Sequence, residues 1–145
     1  MKKEKRQLID NKKIVCVSGG FDPIHIGHVR MIQDAAQLGK VIVVANSDEW
    51  LMRKKGYVFM PYEERQEILY AIKGVVDVVE AMDDDDTVCD SLRRLNPHIF
   101  ANGGDRGDRN TPEMKVCKEL GIQMVWGMGG NDKPQSSSWL INAVR

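Results

Sequence analysis

Short apolar runs alternate along the chain with longer stretches whose apolar residues recur at helical spacing. Residues 14–17 form the first run, carrying Ile14, Val15 and Val17, the pattern of a strand buried on both faces. Similar runs follow at 41–45, 75–79 (interrupted by Asp77), 99–101 and 122–126. Between them, Val29, Met31, Ile32, Ala35, Ala36 and Leu38 predict a helix closed by Gly39 as its C-cap. A short helical piece is expected around Trp50 and Leu51, then a basic loop through Arg53, Lys54 and Lys55 that ends at Gly56. Pro61 opens the next helix, with Glu63 and Glu64 suiting its positive end, Ile68, Leu69 and Ile72 on its apolar face, and Gly74 at its end. Val88, Leu92 and Leu95 mark a helix stopped by Pro97; Thr111 and Pro112 cap one carrying Met114, Val116 and Leu120; Leu140, Ile141 and Val144 mark the last.

Strands that alternate with helices imply parallel pairing through right-handed crossovers. The expected fold is therefore α/β, a Rossmann-like three-layer sandwich around a five-stranded parallel sheet. Residues 1–12 are a polar lead-in, and 13–145 form one domain. Ligands in such sheets lie beyond the C-terminal strand ends, where the strand order reverses. Four loops fall on that edge: 19–28 after the first strand, 46–48 after the second, 103–106 after the fourth, and the serine run 136–138 after the fifth.

Composition narrows the partners. Basic and acidic residues balance at 21 each and aromatics are sparse, so no nucleic-acid face is indicated and a small ligand is expected. The basic N-terminus is not followed by an apolar span, which predicts neither signal peptide nor membrane helix and a cytoplasmic location. Cys16, Cys89 and Cys117 are odd in number and far apart, and are read as reduced, buried thiols.

The chemistry concentrates at residues 17–28. A strand enters, Gly19, Gly20 and Pro23 bend the chain, and His25 and His28 leave at the head of a helix. Such a turn brings backbone amides and the positive end of a helix to one point, the making of a phosphate site, where imidazoles would add positive charge. Two histidines separated by Ile26 and Gly27 favour a functional role over packing. A metal site lacks an evident third ligand, since His98 begins a strand at the opposite edge and is read as structural. Gly103, Asp105 and Arg106, after the fourth strand, are candidates for base and ribose. The acidic run 83–86 is read as a solvated helix start.

Gly20-Phe21-Asp22 followed by His25-Ile26-Gly27-His28 resembles the HxGH signature of the nucleotidylyltransferase superfamily, in its cytidylyltransferase-like branch. The resemblance extends over about residues 14–144 and includes the serine run, the lysines and the arginine on the following helix. It implies transfer of a nucleoside monophosphate from a nucleoside triphosphate to a small phosphate ester, with pyrophosphate released. It further implies His25, His28, Lys54 and Lys55 as catalytic residues and Gly19, Gly20, Phe21, Asp22 and Gly27 as nucleotide contacts. Ser136, Ser137 and Ser138 would grip the β- and γ-phosphates. Asp48, Arg65 and Lys133 would meet the acceptor. By their residues alone, Ser136–Ser138 are read first as an N-cap, which their place beside the phosphate loop reverses; the lysines are equally a solvated loop, and Arg65 reads as an ordinary exposed helix residue.

Magnesium or another divalent ion is implied, with ligands unassigned, as is a homodimer. Compact length and residues 46–49 resemble the glycerol-3-phosphate cytidylyltransferases, whereas Asn102-Gly103-Gly104-Asp105 resembles the ADP-heptose type. Where the former have an arginine-threonine-glutamate segment, this chain has Asn131-Asp132-Lys133-Pro134-Gln135, and lysine lacks arginine's fork. The expected reaction is CMP transfer from CTP to a polyol or sugar phosphate such as glycerol 3-phosphate. The alternatives are an adenylyltransferase using ATP, of the heptose phosphate or nicotinate mononucleotide type, and a nucleotide-binding sensor without turnover.

Overall fold

The computed structural model describes residues 12–83, 85–104, 112–130 and 137–143. Its elements are β1 (Ile14–Gly19), α1 (Ile26–Ala36), β2 (Lys40–Ala45), α2 (Asp48–Lys55), α3 (Tyr62–Tyr70), β3 (Val75–Glu80), α4 (Cys89–Leu95), β4 (Ile99–Ala101), α5 (Pro112–Leu120), β5 (Gln123–Val125) and α6 (Ser137–Ala143). The five strands form one sheet in the order β3-β2-β1-β4-β5. Every neighbouring pair is parallel, with Val15 beside Val41 and Ile99, and Gly19 beside Ala45.

Alternation within the strands divides the core into two layers. Val15, Val17, Val41, Val43 and Ala45 turn to one face and are covered by Ile32 and Ala35 of α1 and Leu69 of α3. Cys16, Val44 and Phe100 turn to the other face, under Leu92 of α4 and Val116 and Cys117 of α5. Both faces are thus apolar, which is why the strands read as unbroken apolar runs; burying each valine contributes about 1.5–3 kcal/mol. The three cysteines are free and buried, and burial pushes the Cys16 thiol up to about 12 and Cys117 to about 11, so they act as apolar filling.

Local details differ from the sequence expectation in three places. α1 ends at Ala36 with Gln37 as C-cap, and Gly39, the expected cap, has no left-handed backbone. α3 ends at Tyr70, before Gly74. The basic segment expected as a loop is the last turn of α2: Ser47 Oγ accepts the Trp50 amide, Asp48 and Glu49 occupy the first turn, Arg53, Lys54 and Lys55 the last, and Gly56 closes it at φ 81°. Charges matched to both ends of the dipole carry the helix through those residues despite its polar composition.

Sheet order reverses at β1, because β2 and β3 lie to one side of it and β4 and β5 to the other. The turn from β1 into α1 therefore opens at the switch point, with loops of the β2–β3 half on one flank and of the β4–β5 half on the other.

Candidate active site

His25 is the N-cap of α1 and His28 its third residue. His25 Nδ1 accepts the Gly27 amide at 3.1 Å, and His28 Nδ1 accepts the His25 amide at 3.2 Å, a reciprocal capping box built from two imidazoles. Their rings stack with centroids 3.8 Å apart, and Phe21 meets His28 edge-on at 4.9 Å. An Nδ1 that accepts carries no proton, so each ring bears its hydrogen on Nε2. The His28 pKa is lowered to about 3, by burial first and then by His25 and the Lys55 ammonium. The positive charge expected of these imidazoles is thereby corrected: His28 is a neutral donor at neutral pH, because two stacked rings beside a lysine in a half-buried site disfavour a cation. Phe21, 2% exposed, holds φ at 54°, a backbone state costing about 1–3 kcal/mol that its packed ring offsets.

On the β2–β3 flank two buried charges tie the loops together. Asp22 is fully buried, and its carboxylate accepts the amides of Phe59, at 2.7 Å, and of Met60. Arg65 is also fully buried: Nε donates to Met60 O at 2.9 Å, Nη1 to Gly20 O at 2.9 Å and Asn46 O at 2.6 Å, and Nη2 to Asp48 Oδ1 at 2.7 Å. Asp48 Oδ1 also accepts the Tyr62 amide. One expectation is corrected here: Arg65 is not an exposed helix residue, because Nε and Nη1 are held by backbone carbonyls and Nη2 by the half-exposed Asp48 carboxylate, while the Asp22 carboxylate is occupied by two backbone amides. Gly19 and Gly20 sit tightly against the Phe21 ring and Leu51 Cδ2, where an added Cβ would lie 3.3 Å away in each case.

The lysines divide. Lys55 is close enough to act on His28, whereas Lys54 is paired with Asp86 at 2.9 Å across the mouth of the β3–α4 loop, both half or more exposed. Two other members of the acidic run hold the loop, and Asp84 lies outside the described residues: Asp83 accepts the amides of Asp90 and Ser91 at the head of α4, and Asp85 accepts from Thr87. His98 Nδ1 accepts the Ile14 amide at 3.0 Å, at the opposite end of the sheet.

On the β4–β5 flank, the loop after β4 and the loop after β5 are joined by backbone bonds, Gly127 N to Gly104 O and Met128 N to Asn102 O, each 3.0 Å. Both lean on α1. A Cβ on Gly103 would lie 3.2 Å from Met31 Sδ, one on Gly129 would lie 3.1 Å from Met31 N, and the Gly129 amide donates to Asp34 Oδ2 at 2.6 Å. Asp34 and Met31 escape a reading of the sequence, since nothing local marks an acid 95 positions from its partner. Asp105, Arg106, Lys133 and Ser136 lie outside the described residues, and Ser137 and Ser138 begin the backbone of α6. A groove of about 670 Å³ lined by Met114, Lys118, Met124 and Trp126 contains none of the expected site residues. Among the described residues no three histidine, cysteine or carboxylate side chains gather as metal ligands, and no helix is long and apolar enough to cross a membrane.

A capped histidine pair at the switch point, with a lysine beside it, is thus what the fold brings together. The profile of the family described as Cytidylyltransferase-like matches residues 16–130. The chain belongs to the cytidylyltransferase-like family. Within that family it is 39% identical over 118 residues to FAD synthase of Pyrococcus horikoshii, the match covering 79% of this chain and 78% of that one. It is 38% identical over 115 residues to the bifunctional protein HldE of Streptomyces coelicolor, covering 77% of this chain but 24% of HldE, so it spans about a quarter of that relative's length. A lipopolysaccharide core biosynthesis protein of Thermoplasma volcanium shares the fold, with a TM-score of 0.62 at 20% identity over 79% of this chain and 94% of that one. The part of this cytidylyltransferase-like domain that the profile matches includes both histidines, both lysines and the buried charges beneath them.

Proposed function

We propose that this domain transfers a nucleoside monophosphate from a nucleoside triphosphate to a small phosphate ester, releasing pyrophosphate. The stacked, neutral imidazoles at the head of α1 carry the reading, because they place two Nε2–H donors where a helix N-terminus already attracts phosphate. An acceptor phosphate oxygen attacks the α-phosphorus in line; that P–O bond forms as the bond to the bridging oxygen breaks, and its electron pair leaves with pyrophosphate. No protein nucleophile is required. His25 and His28 donate to the phosphate oxygens as negative charge develops, Lys55 adds a cation beside them, and Lys54 exchanges Asp86 for the triphosphate. Gly103, Asp105 and Arg106 take base and ribose, with Ser136, Ser137 and Ser138 at the terminal phosphates and Lys133 at the acceptor. A divalent ion would neutralise phosphate charge when bound, and its protein ligands are unassigned.

The sequence expectation favours CTP and glycerol 3-phosphate. FAD synthase is by its name a maker of a dinucleotide whose one half is AMP, and it is matched over most of its length, so the donor assigned here is ATP. The acceptor is a phosphate monoester of a polyol, sugar or flavin, and a cytoplasmic homodimer completes the proposal. Pyrophosphate release with ATP and CTP, each against glycerol 3-phosphate, an aldose 1-phosphate and flavin mononucleotide, tests it. Release with one pair, lost on His28→Asn while the fold is kept, is the expected result. Folded protein that releases none with any pair overturns the reading, and tight nucleotide binding without release would make the domain a sensor.

A further inference from the structure

Among the described residues the loops of the β4–β5 flank carry no buried charge, and they rest on the helix that carries the histidines. We infer that Asp34 is a positioning residue that sets the nucleotide-side loops against α1 and so couples them to His25 and His28. The inference rests on the nucleotidyl-transfer reading. Three contacts meet on two adjacent turns of α1. Asp34 Oδ2 accepts the Gly129 amide at 2.6 Å, Gly129 at φ 86° lies so close to Met31 that a Cβ would stand 3.1 Å from its nitrogen, and Gly103 crowds the same residue's sulfur. The loops are also bonded to each other through Gly104 and Gly127 and through Asn102 and Met128, so a displacement of one moves both.

The geometry of that contact is directional. Met31 is one turn beyond His28 on α1, and Asp34 one turn beyond Met31. Any shift of the loops along α1 changes their distance from the imidazoles, and such misplacement is costly in a reaction that depends on positioning. Asp34 touches neither the histidines nor any expected phosphate contact in the described structure; its partner is a backbone amide. A carboxylate there makes a stronger bond than a neutral acceptor, and its removal leaves a partly buried N–H unpaired.

The test compares wild-type protein with Asp34→Ala, Asp34→Asn and a control, Val116→Ala, which loosens the other core layer away from the loops. Magnesium ATP and magnesium CTP binding are measured by calorimetry, and amide exchange is followed at Gly129. Asp34→Ala is expected to weaken nucleotide binding about tenfold and speed Gly129 exchange by a similar factor, the equivalent of one lost charge-assisted hydrogen bond. Asp34→Asn, which keeps an acceptor oxygen, restores most of both, and Val116→Ala lowers the melting temperature with nucleotide affinity unchanged. Nucleotide affinity in Asp34→Ala within twofold of wild type, or equal losses in Asp34→Ala and Val116→Ala, would overturn the inference. If wild-type protein binds neither nucleotide, the nucleotidyl-transfer reading itself fails and this one with it, whereas binding by wild type with an insensitive Asp34→Ala removes only the role of Asp34.

Discussion

The two flanks of the site are mounted in opposite ways. On the β2–β3 flank, fully buried Arg65 and Asp22 reach up from beneath and take backbone groups of three segments, at Gly20, at Asn46 and at Phe59 and Met60. On the β4–β5 flank, among the described residues, the half-buried Asp34 takes one amide, two backbone bonds join the loops to each other, and glycines lie close against the helix. A buried charge satisfied on every side locks its loops to the core, since releasing any partner exposes an unpaired charge. Glycine contact with a single hydrogen bond holds a loop in place at far lower cost of release. The difference separates a flank that is part of the folding core from one that is adjustable, and in the proposed reaction the adjustable flank is the one facing the nucleotide.

The sharpest break in that comparison is Arg65→Ala. Four acceptors lose their donor at once, and the expected loss is about 3–5 kcal/mol by chemical denaturation, with Arg65→Lys recovering little because one ammonium lacks the fork. A loss under 1 kcal/mol would mean that the β2–β3 flank is not held from below. Next comes Gly129→Ala against Gly56→Ala. Both glycines have left-handed backbone, at φ 86° and 81°, but a Cβ at Gly56 meets nothing within 4 Å, whereas one at Gly129 meets the Met31 backbone. Gly56→Ala should cost about 1–2 kcal/mol, and Gly129→Ala distinctly more, together with weaker nucleotide binding. Equal costs would remove the close approach from the account.

Between the flanks stands His28, and its titration is the third measurement. Its folded pKa, about 3, lies below the ordinary value of 6.5, so the unfolded chain binds the proton more readily. Above about pH 6.5 both states are neutral and the ring adds no pH dependence; as pH falls from there toward 3, stability is lost at up to about 1.4 kcal/mol per unit. His28→Asn keeps an acceptor for the His25 amide but does not titrate, and should flatten that part of the stability profile. An unchanged profile would restore a charged His28. The smallest effect is expected at Lys54 and Asp86, an exposed pair at 2.9 Å. Asp86→Asn should change stability by less than about 1 kcal/mol while releasing Lys54 toward the triphosphate, seen as a nucleotide KM that falls modestly at low salt and converges with wild type at high salt.

Periodicity alone determined the five strands and the helices between them, and the burial of the inner strands β1, β2 and β4, because a strand covered on both sides requires an unbroken apolar run. The HxGH segment likewise announced its own place, since a strand, a glycine turn and a helix start are local events, and both histidines cap the helix within three residues of each other. Only the tertiary structure decided what the charges do. Arg65 looks in the sequence like any arginine on a polar helix, yet its partners stand up to 45 positions away, at Gly20. Asp22 sits inside the motif, yet its carboxylate is taken by the amides of residues 59 and 60, far along the chain. Asp34 carries no local mark at all, because its partner arrives only when β5 joins the sheet. Local pattern specifies where backbone hydrogen bonds go, but a long polar side chain is assigned by whichever unsatisfied group the folded core leaves within its reach.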